Sequence, residues 1–334
     1  MEDLTAVVGR LADEHGFSGV VRVDRDGVTE HASAHGLAER AFEVPNTLDT
    51  QFGVASIAKS LTAMTVVSLV ADDRVGLGTR VRDLLGEELP DIAPDVTVEH
   101  LLAHRSGIGD YLDEDLDFGP SDYVMTRPVH EFVTTDDYVP SLRGHPTKFA
   151  AGERFSYCNG GDVVLALVVE RVTGRPFHDV LAERVCVPAG LEHTAYLRSD
   201  ELPASVARGY LDDEGLRTNV LHLPVRGSGD GGVHTTVGDL HALWGAFVGG
   251  RVVDERWVAE MLRPRSVDPA DGRRYGLGLW LAPAGDGVVM NGYDAGVSAR
   301  TAHVPSRSLT WTVVANTSDG IRPLVRHLAE RLEA

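Results

Sequence analysis

Cysteine, basic charge and long apolar runs are all scarce in this chain. Its 334 residues include two cysteines, Cys158 and Cys186, too few for a disulfide framework. The net charge is −19, which argues against a nucleic acid or an anionic membrane as a partner, because both need a basic face. No apolar run approaches the length of a membrane span. Residues 1–11 also lack a basic segment before a long apolar core, so the sequence predicts a cytoplasmic protein.

Lysine is as scarce as cysteine. The chain has 31 lysines and arginines together, but lysine occurs only as Lys59 and Lys148. Lys59 follows Ser56 by three residues at the start of an apolar helical run, so both side chains lie on one helix face. A lysine can lose its proton in a buried site, whereas an arginine cannot. Such a Ser-x-x-Lys also occurs in ordinary helices, but here it predicts a nucleophile, Ser56, and its activating amine.

A second polar group precedes another apolar helix. Tyr157 and Asn159 are two residues apart, so both would point the same way in an extended segment. We expect a nearby lysine ammonium to lower the pKa of Tyr157, which would let the phenol act as a general base. The Asn159 amide could bond a substrate carbonyl. Cys158, between them, is expected to be packed on the opposite side.

Two histidines one helical turn apart, His100 and His104, resemble a metal-binding pair beside Glu99. No third ligand follows at a recognisable spacing. We therefore expect His104 to hold a loop rather than a metal ion.

The patterning predicts strands near both ends of the chain and helices between them. A helix over 4–11, a strand over 18–24 and a second strand reaching 34 come first. The other predicted helices are 56–71, 96–104, 160–173, 237–248 and 321–332, and the other strands are 275–281, 287–291, 299–304 and 310–315. Residues 110–148 are acidic and weakly periodic, which is typical of long functional loops.

We therefore predict an α+β fold, an antiparallel sheet flanked by helices with an inserted, mostly helical domain. The sheet domain would comprise residues 1–75 and 229–334, and the insert residues 76–228. The active site would lie in the cleft between them.

Five stretches together resemble the serine β-lactamase and penicillin-binding-protein superfamily. The resemblance is closest to the branch that holds class C β-lactamases, DD-peptidases, D-aminopeptidases and family VIII esterases. The stretches are Phe52 to Leu61, Val98 to Ile108, Ala151 to Asn159, Gly231 to Leu240 and Tyr275 to Trp280. The resemblance implies acylation of Ser56, proton transfer shared by Lys59 and Tyr157, and contact of Asn159 with substrate. It implies neither a metal nor an organic cofactor.

The third family motif, Lys-Thr-Gly or His-x-Gly, is the point of departure. An ungapped alignment puts Met290-Asn291-Gly292 there, and a short deletion would put Gly292-Tyr293-Asp294, in the stretch that continues to Ala295-Gly296, there instead. Under the ungapped alignment the resemblance implies that the N–H groups of Tyr293 and Ser56 form the oxyanion hole. Neither alignment supplies a cation or a threonine.

This departure bears on the substrate. In the family the cation and threonine help to hold a substrate carboxylate, whereas here the nearby charge is Asp294, which would repel one. We therefore predict a small-molecule or short-peptide substrate that is neutral or carries an amine.

The leading interpretation is a serine hydrolase of the esterase, amidase or peptidase type. An acyltransferase in small-molecule metabolism would share its first half-reaction. A catalytically silent binding protein is the third interpretation. It is favoured by the eroded third motif and opposed by the intact Ser56, Lys59, Tyr157 and Asn159. A true β-lactamase or DD-peptidase ranks behind these, and the oligomeric state is left open.

Overall fold

The computed structural model describes residues 3–116, 119 and 122–333. Its helices are α1 Leu4–Glu14, α2 Ile57–Ala71, α3 Val81–Leu85, α4 Val98–Leu102, α5 Asn159–Thr173, α6 Phe177–Leu181, α7 Val187–Ala189, α8 Val237–Val248, α9 Glu255–Met261 and α10 Arg322–Leu332. Its strands are β1 Gly19–Arg25, β2 Val28–His35, β3 Leu37–Glu39, β4 Val44–Pro45, β5 Phe52–Gly53, β6 His234–Thr235, β7 Ser266–Val267, β8 Arg274–Tyr275, β9 Trp280–Leu281, β10 Val288–Asp294, β11 Val297–Val304 and β12 Leu309–Ala315.

The main sheet is antiparallel and joins strands from the two ends of the chain. Within the described residues its order is β2-β1-β12-β11-β10-β9-β8-β7, with Gly19 opposite Ala315 and Arg25 opposite Leu309. Alternation along β1 sends Val20 to one face and Val21 to the other. One face packs against α1 and α10, and the other against α2 and α8.

Helix α2 is the buried axis of the molecule. Every residue from Ile57 to Val70 is buried, so the helix packs against the rest of the protein on all sides, in keeping with its mostly apolar sequence. Two of its hydroxyls hold loops from other parts of the chain. Thr62 Oγ1 donates to Gly229 O at 2.7 Å, and Ser60 Oγ donates to Gly278 O at 2.7 Å. These bonds bring the segments around 229 and 278 to the helix that follows Ser56.

The predicted strand over 275–281 is wrong in one respect, because it is two short strands, β8 and β9, around a turn. Gly278 has a φ of +75°, and a Cβ there would lie 2.1 Å from the Ala63 Cβ on α2. The turn therefore depends on a tertiary contact that no local pattern reports. Helix α9 and the short strands β3 to β7 were also not predicted.

Helices α3 to α7 all lie between β5 and β6 in the chain. The region predicted as loops, 110–148, contains two 3₁₀ segments, Val129–Glu131 and Thr135–Leu142. The domain boundaries at 75 and 229 stay a prediction. In the described residues, no helix combines the length and apolarity required to cross a bilayer.

Candidate active site

Ser56 stands at the beginning of α2 with Lys59 one turn behind it. Lys59 Nζ donates to Ser56 Oγ at 2.8 Å and to the Asp230 carbonyl oxygen at 2.7 Å. Lys59 is 2% exposed, so its amine depends on these protein partners. The residue before the nucleophile, Ala55, has a φ of +44°, a left-handed conformation that is strained for a residue other than glycine. The spacing of Ser56 and Lys59 thus produces the contact expected from it.

Tyr157 joins the same hydroxyl from another part of the chain. Its phenol interacts with the Ser56 side chain, which by itself favours a lower phenol pKa, and its ring centroid lies 5.1 Å from Lys59 Nζ. The expectation of a lowered phenol pKa is wrong. Burial first, and then the field of the Glu114 carboxylate, raise the pKa of Tyr157 well above its usual value. The phenol is therefore a proton donor in the resting site.

His104 holds the segment that carries Tyr157. Its Nδ1 accepts the Cys158 N–H at 3.3 Å, and its carbonyl oxygen accepts the Ser156 N–H at 2.9 Å. The His104 and Tyr157 rings are 4.4 Å apart. Burial lowers the pKa of His104 to about 3, so the ring is neutral. His104 does hold a loop, as expected.

The other histidine of the pair has a separate role. His100 Nδ1 accepts the Thr97 N–H at 3.3 Å, while the Thr97 hydroxyl accepts the His100 N–H, so the two residues form the capping box of α4.

Cys158 is 5% exposed, in agreement with the expected packed thiol.

Asn159 begins α5, and its amide is engaged by the acidic loop. Its Nδ2 donates to Leu112 O at 2.8 Å and to Glu114 Oε1 at 3.0 Å. The carboxylate of Asp110 accepts two backbone N–H groups of the first turn, from Asn159 at 2.5 Å and from Gly160 at 2.8 Å. Burial raises the pKa of Asp110 to about 6. The acidic loop is therefore attached to the helix that presents Asn159.

The third motif lies on β10 beside the nucleophile. A Cβ on Gly292 would be 2.0 Å from Val54 O, so a glycine is needed where the strand approaches the residues before Ser56. Gly296, which ends the stretch in the alternative alignment, does not approach Ser56 in this way and packs against the backbone of Gly209 and Tyr210. Strand β9 pairs with β10 only at Val288 and Val289, which leaves the later part of that edge without a strand neighbour. The geometry favours the ungapped alignment, with Gly292 as the motif glycine.

The side chains of Tyr293 and Asp294, the last two residues of β10, point to different sides of the strand. The Tyr293 side chain is 45% exposed, and its ring lies 5.6 Å from the Arg322 guanidinium. Asp294 Oδ1 accepts the Ala295 N–H at 2.8 Å, and burial raises the pKa of the Asp294 carboxyl to about 7. The fields of Asp230 and Glu114 push this pKa in the same direction, whereas the field of Lys59 opposes them. Asp294 therefore faces the charged groups of the site.

These residues surround one cavity of about 530 Å³. Ser56, Tyr157 and Asn159 line it together with the predicted third-motif residues Asn291, Tyr293 and Asp294. Other polar residues that were not predicted from the sequence also line the cavity, among them Tyr111, Glu114 and Asp230. The Tyr111 hydroxyl donates to the Asp230 carboxylate, so the acidic loop is also bonded to the loop that holds Lys59.

Sequence signals for these three are weak. Asp230 immediately precedes the Gly231-Gly232 stretch already singled out, so its position pointed to the site. Glu114 stands in an acidic run with Asp113 and Asp115, and no local feature separates the one that faces the cavity.

Comparison with known proteins identifies the family. The sequence model of the Beta-lactamase family matches residues 4–334. The chain belongs to the Beta-lactamase family. This assignment confirms the superfamily predicted from the five sequence stretches.

Relatives that match this chain carry the names of different activities. Esterase EstB of Burkholderia gladioli is 33% identical over 63% of this chain and 55% of its own length. A D-aminopeptidase of Brucella anthropi is 29% identical over 81% of this chain and 50% of its own length. The chain thus spans about half the length of these two relatives.

A solved structure matches almost the whole fold. The penicillin binding protein from Bacillus halodurans superposes with a TM-score of 0.90 at 31% identity, covering 97% of this chain and 100% of that one. The predicted α+β fold is confirmed.

Proposed function

We propose that this chain is a serine hydrolase of the esterase, amidase or peptidase type that acts through an acyl-Ser56 intermediate. The observation that carries the proposal is the convergence of Lys59 Nζ, at 2.8 Å, and the Tyr157 phenol on the Ser56 hydroxyl. A nucleophile, a proton acceptor and a proton donor thus meet at one oxygen that borders the cavity.

In the proposed acylation, Ser56 Oγ attacks the carbonyl carbon of the substrate while its proton passes to Lys59. The N–H groups of Ser56 and Tyr293 stabilise the negative charge on the carbonyl oxygen, helped by the positive end of α2. The C–O or C–N bond then breaks. Tyr157 gives its proton to the departing alcohol or amine and recovers one from Lys59, so the protons balance.

Deacylation uses the same groups in the opposite direction. A water molecule in the cavity loses a proton to the Lys59 and Tyr157 pair and attacks the acyl carbon. The bond to Ser56 Oγ breaks, and that oxygen regains its proton, so the products are a carboxylic acid and the resting site.

The proposed substrate is neutral or carries an amine. Glu114, Asp230 and Asp294 all line the cavity, and each would repel a substrate carboxylate. The names D-aminopeptidase and esterase among the relatives agree with this substrate class. If Asp294→Asn leaves the preference among anionic, neutral and cationic esters unchanged, the substrate hypothesis is wrong.

The direct test of the nucleophile is the intact mass after incubation with a fluorophosphonate probe, for the wild-type chain and Ser56→Ala. We expect one adduct on the wild type and none on the variant, with unchanged circular dichroism of the variant. An adduct that persists in Ser56→Ala would refute the assigned nucleophile.

A parallel incubation with penicillin tests the substrate class. A stable penicillin adduct would contradict our interpretation of the third motif. No adduct with either reagent would favour the catalytically silent binding protein.

The cytoplasmic location stays a prediction.

A further inference from the structure

The orientation of the Asn159 amide is fixed by its neighbours. Its two contacts are a backbone carbonyl oxygen, Leu112 O at 2.8 Å, and a carboxylate oxygen, Glu114 Oε1 at 3.0 Å. Both are acceptors, so only the NH₂ end of the amide can face them, and both of its hydrogens are used. Contrary to the expectation from the sequence, Asn159 has no amide hydrogen left for a substrate carbonyl. Its remaining polar atom, Oδ1, is an acceptor.

The charged groups around Asn159 also favour a donor as the ligand. Glu114, Asp230 and Asp294 line the same cavity. Among the described residues, the arginine that lines this cavity is Arg273, which lies over the Trp280 ring at 4.1 Å and pairs with Asp271 at 2.5 Å. The local field in the cavity therefore favours a positive charge.

Four carboxylates line the cavity, those of Glu114, Asp230, Asp268 and Asp294, and Glu114 is the one best placed to receive a ligand. Asp268 accepts the Ala270 N–H at 2.9 Å and lies 3.9 Å from the Arg273 guanidinium. The Asp230 carboxylate already accepts the Tyr111 hydroxyl, and Asp294 accepts the Ala295 N–H. Glu114 is held by Asn159 through one oxygen. A carboxylate oxygen can accept more than one hydrogen bond, so Glu114 and Asn159 Oδ1 together present acceptors only.

We propose that Glu114 and Asn159 form a subsite for an ammonium group on the acyl part of the substrate. The substrate class is an ester or amide of an α-amino acid, or a peptide with a free N-terminal amine. This inference rests on the proposed function, because the acyl group must reach Ser56. A charge-assisted hydrogen bond from the ammonium to Glu114 orients the acyl group, and a substrate without the amine lacks that bond.

The test compares a phenylalanine methyl ester, as each enantiomer, with methyl 3-phenylpropanoate, which differs only by lacking the amine. Glu114→Gln removes the charge but keeps an oxygen that can accept from Asn159. The matched control is Asp113→Asn, which removes one negative charge from the same loop. Asp113 pairs with Lys148 at 2.8 Å and does not line the cavity.

We expect Glu114→Gln to lower kcat/KM for the preferred amino ester by about 10- to 100-fold, as for the loss of one charge-assisted contact. Glu114 also raises the pKa of Tyr157, an effect that is common to both esters. The readout is therefore the ratio of kcat/KM for the amino ester to kcat/KM for the ester without the amine, which should fall about 10- to 100-fold in Glu114→Gln and stay unchanged in Asp113→Asn. Equal losses for both esters in Glu114→Gln would overturn the subsite, because Glu114 would then only position Asn159. Equal effects of the two variants would also overturn it, since net charge alone would suffice.

The two proposals fail in different ways. Absence of Ser56 labelling in the wild type would defeat the proposed hydrolase itself. Labelling together with hydrolysis of the ester that lacks the amine, but without any preference for the amino ester, would leave the hydrolase standing and refute the ammonium subsite.

Discussion

Lys59 and Tyr157 both lie at Ser56 Oγ. The chain contains one other lysine, Lys148, which serves as a comparison for Lys59. Lys148 pairs with Asp113 and Asp115 outside the cavity. We predict that Lys59→Arg lowers kcat/KM for an ester by at least about 100-fold, because arginine keeps its proton and general base catalysis is lost. Steady-state hydrolysis measures the effect.

Lys148→Arg is the matched control and should stay close to wild type. Near-normal hydrolysis by Lys59→Arg would mean that the lysine acts only as a fixed positive charge.

Asp294 links the charge of the site to stability. The folded chain raises the pKa of this carboxyl from 3.8 to about 7. The folded state therefore holds a proton that the unfolded state releases, and stability falls as the pH rises between these two values. We predict that Asp294→Asn, which removes this effect, raises the melting temperature relative to wild type more at about pH 8 than at about pH 4. Thermal unfolding at both pH values measures the difference, and an equal shift at both would contradict the prediction.

At the scale of elements, the site depends on how closely β10 approaches the residues before α2. We predict that Gly292→Ala lowers the free energy of unfolding by about 2–4 kcal/mol and abolishes most activity, because the added Cβ would overlap Val54 O. Gly245→Ala is the control, since that glycine lies on α8 and, among the described residues, no atom outside its own stretch of helix lies within 4 Å of the added Cβ. It should stabilise the chain by about 0.5–1 kcal/mol. Denaturant unfolding of both variants measures these changes, and a Gly292→Ala variant as stable and active as wild type would refute the packing argument.

Sequence patterns predicted the elements whose information is local. Helix α8 was placed at its observed limits, and α2 and α5 within one residue, because continuous apolar runs with clear stops define them. The turn at Gly278 was missed because Ala63, on α2, determines it. The residues Ser56, Lys59 and Tyr157 could be named from the sequence because each lies in a short motif that is recognisable locally. Glu114 could not, since the path of the acidic loop decides which carboxylate enters the cavity.

For the molecule as a whole, the net charge of −19 should act on substrate encounter. We predict that kcat/KM for a cationic ester falls as ionic strength rises from about 0.01 M to about 0.5 M, because salt screens the attraction. A neutral ester of similar size should be almost insensitive. Initial rates for both esters across the salt series test this, and parallel curves would show that the net charge has no influence on binding.

The pairing of β1 with β12 also governs when the site can form. Residues 19–25 leave the ribosome nearly 300 residues before their partners in 309–315. Until then the apolar face of β1 lacks one of its two neighbours, and β10 and β11 are not joined to it. Contacts so distant in sequence slow folding. A newly made chain therefore carries Ser56 and Lys59 long before it has a sheet to set them against, and the site can form only after β12 has been made.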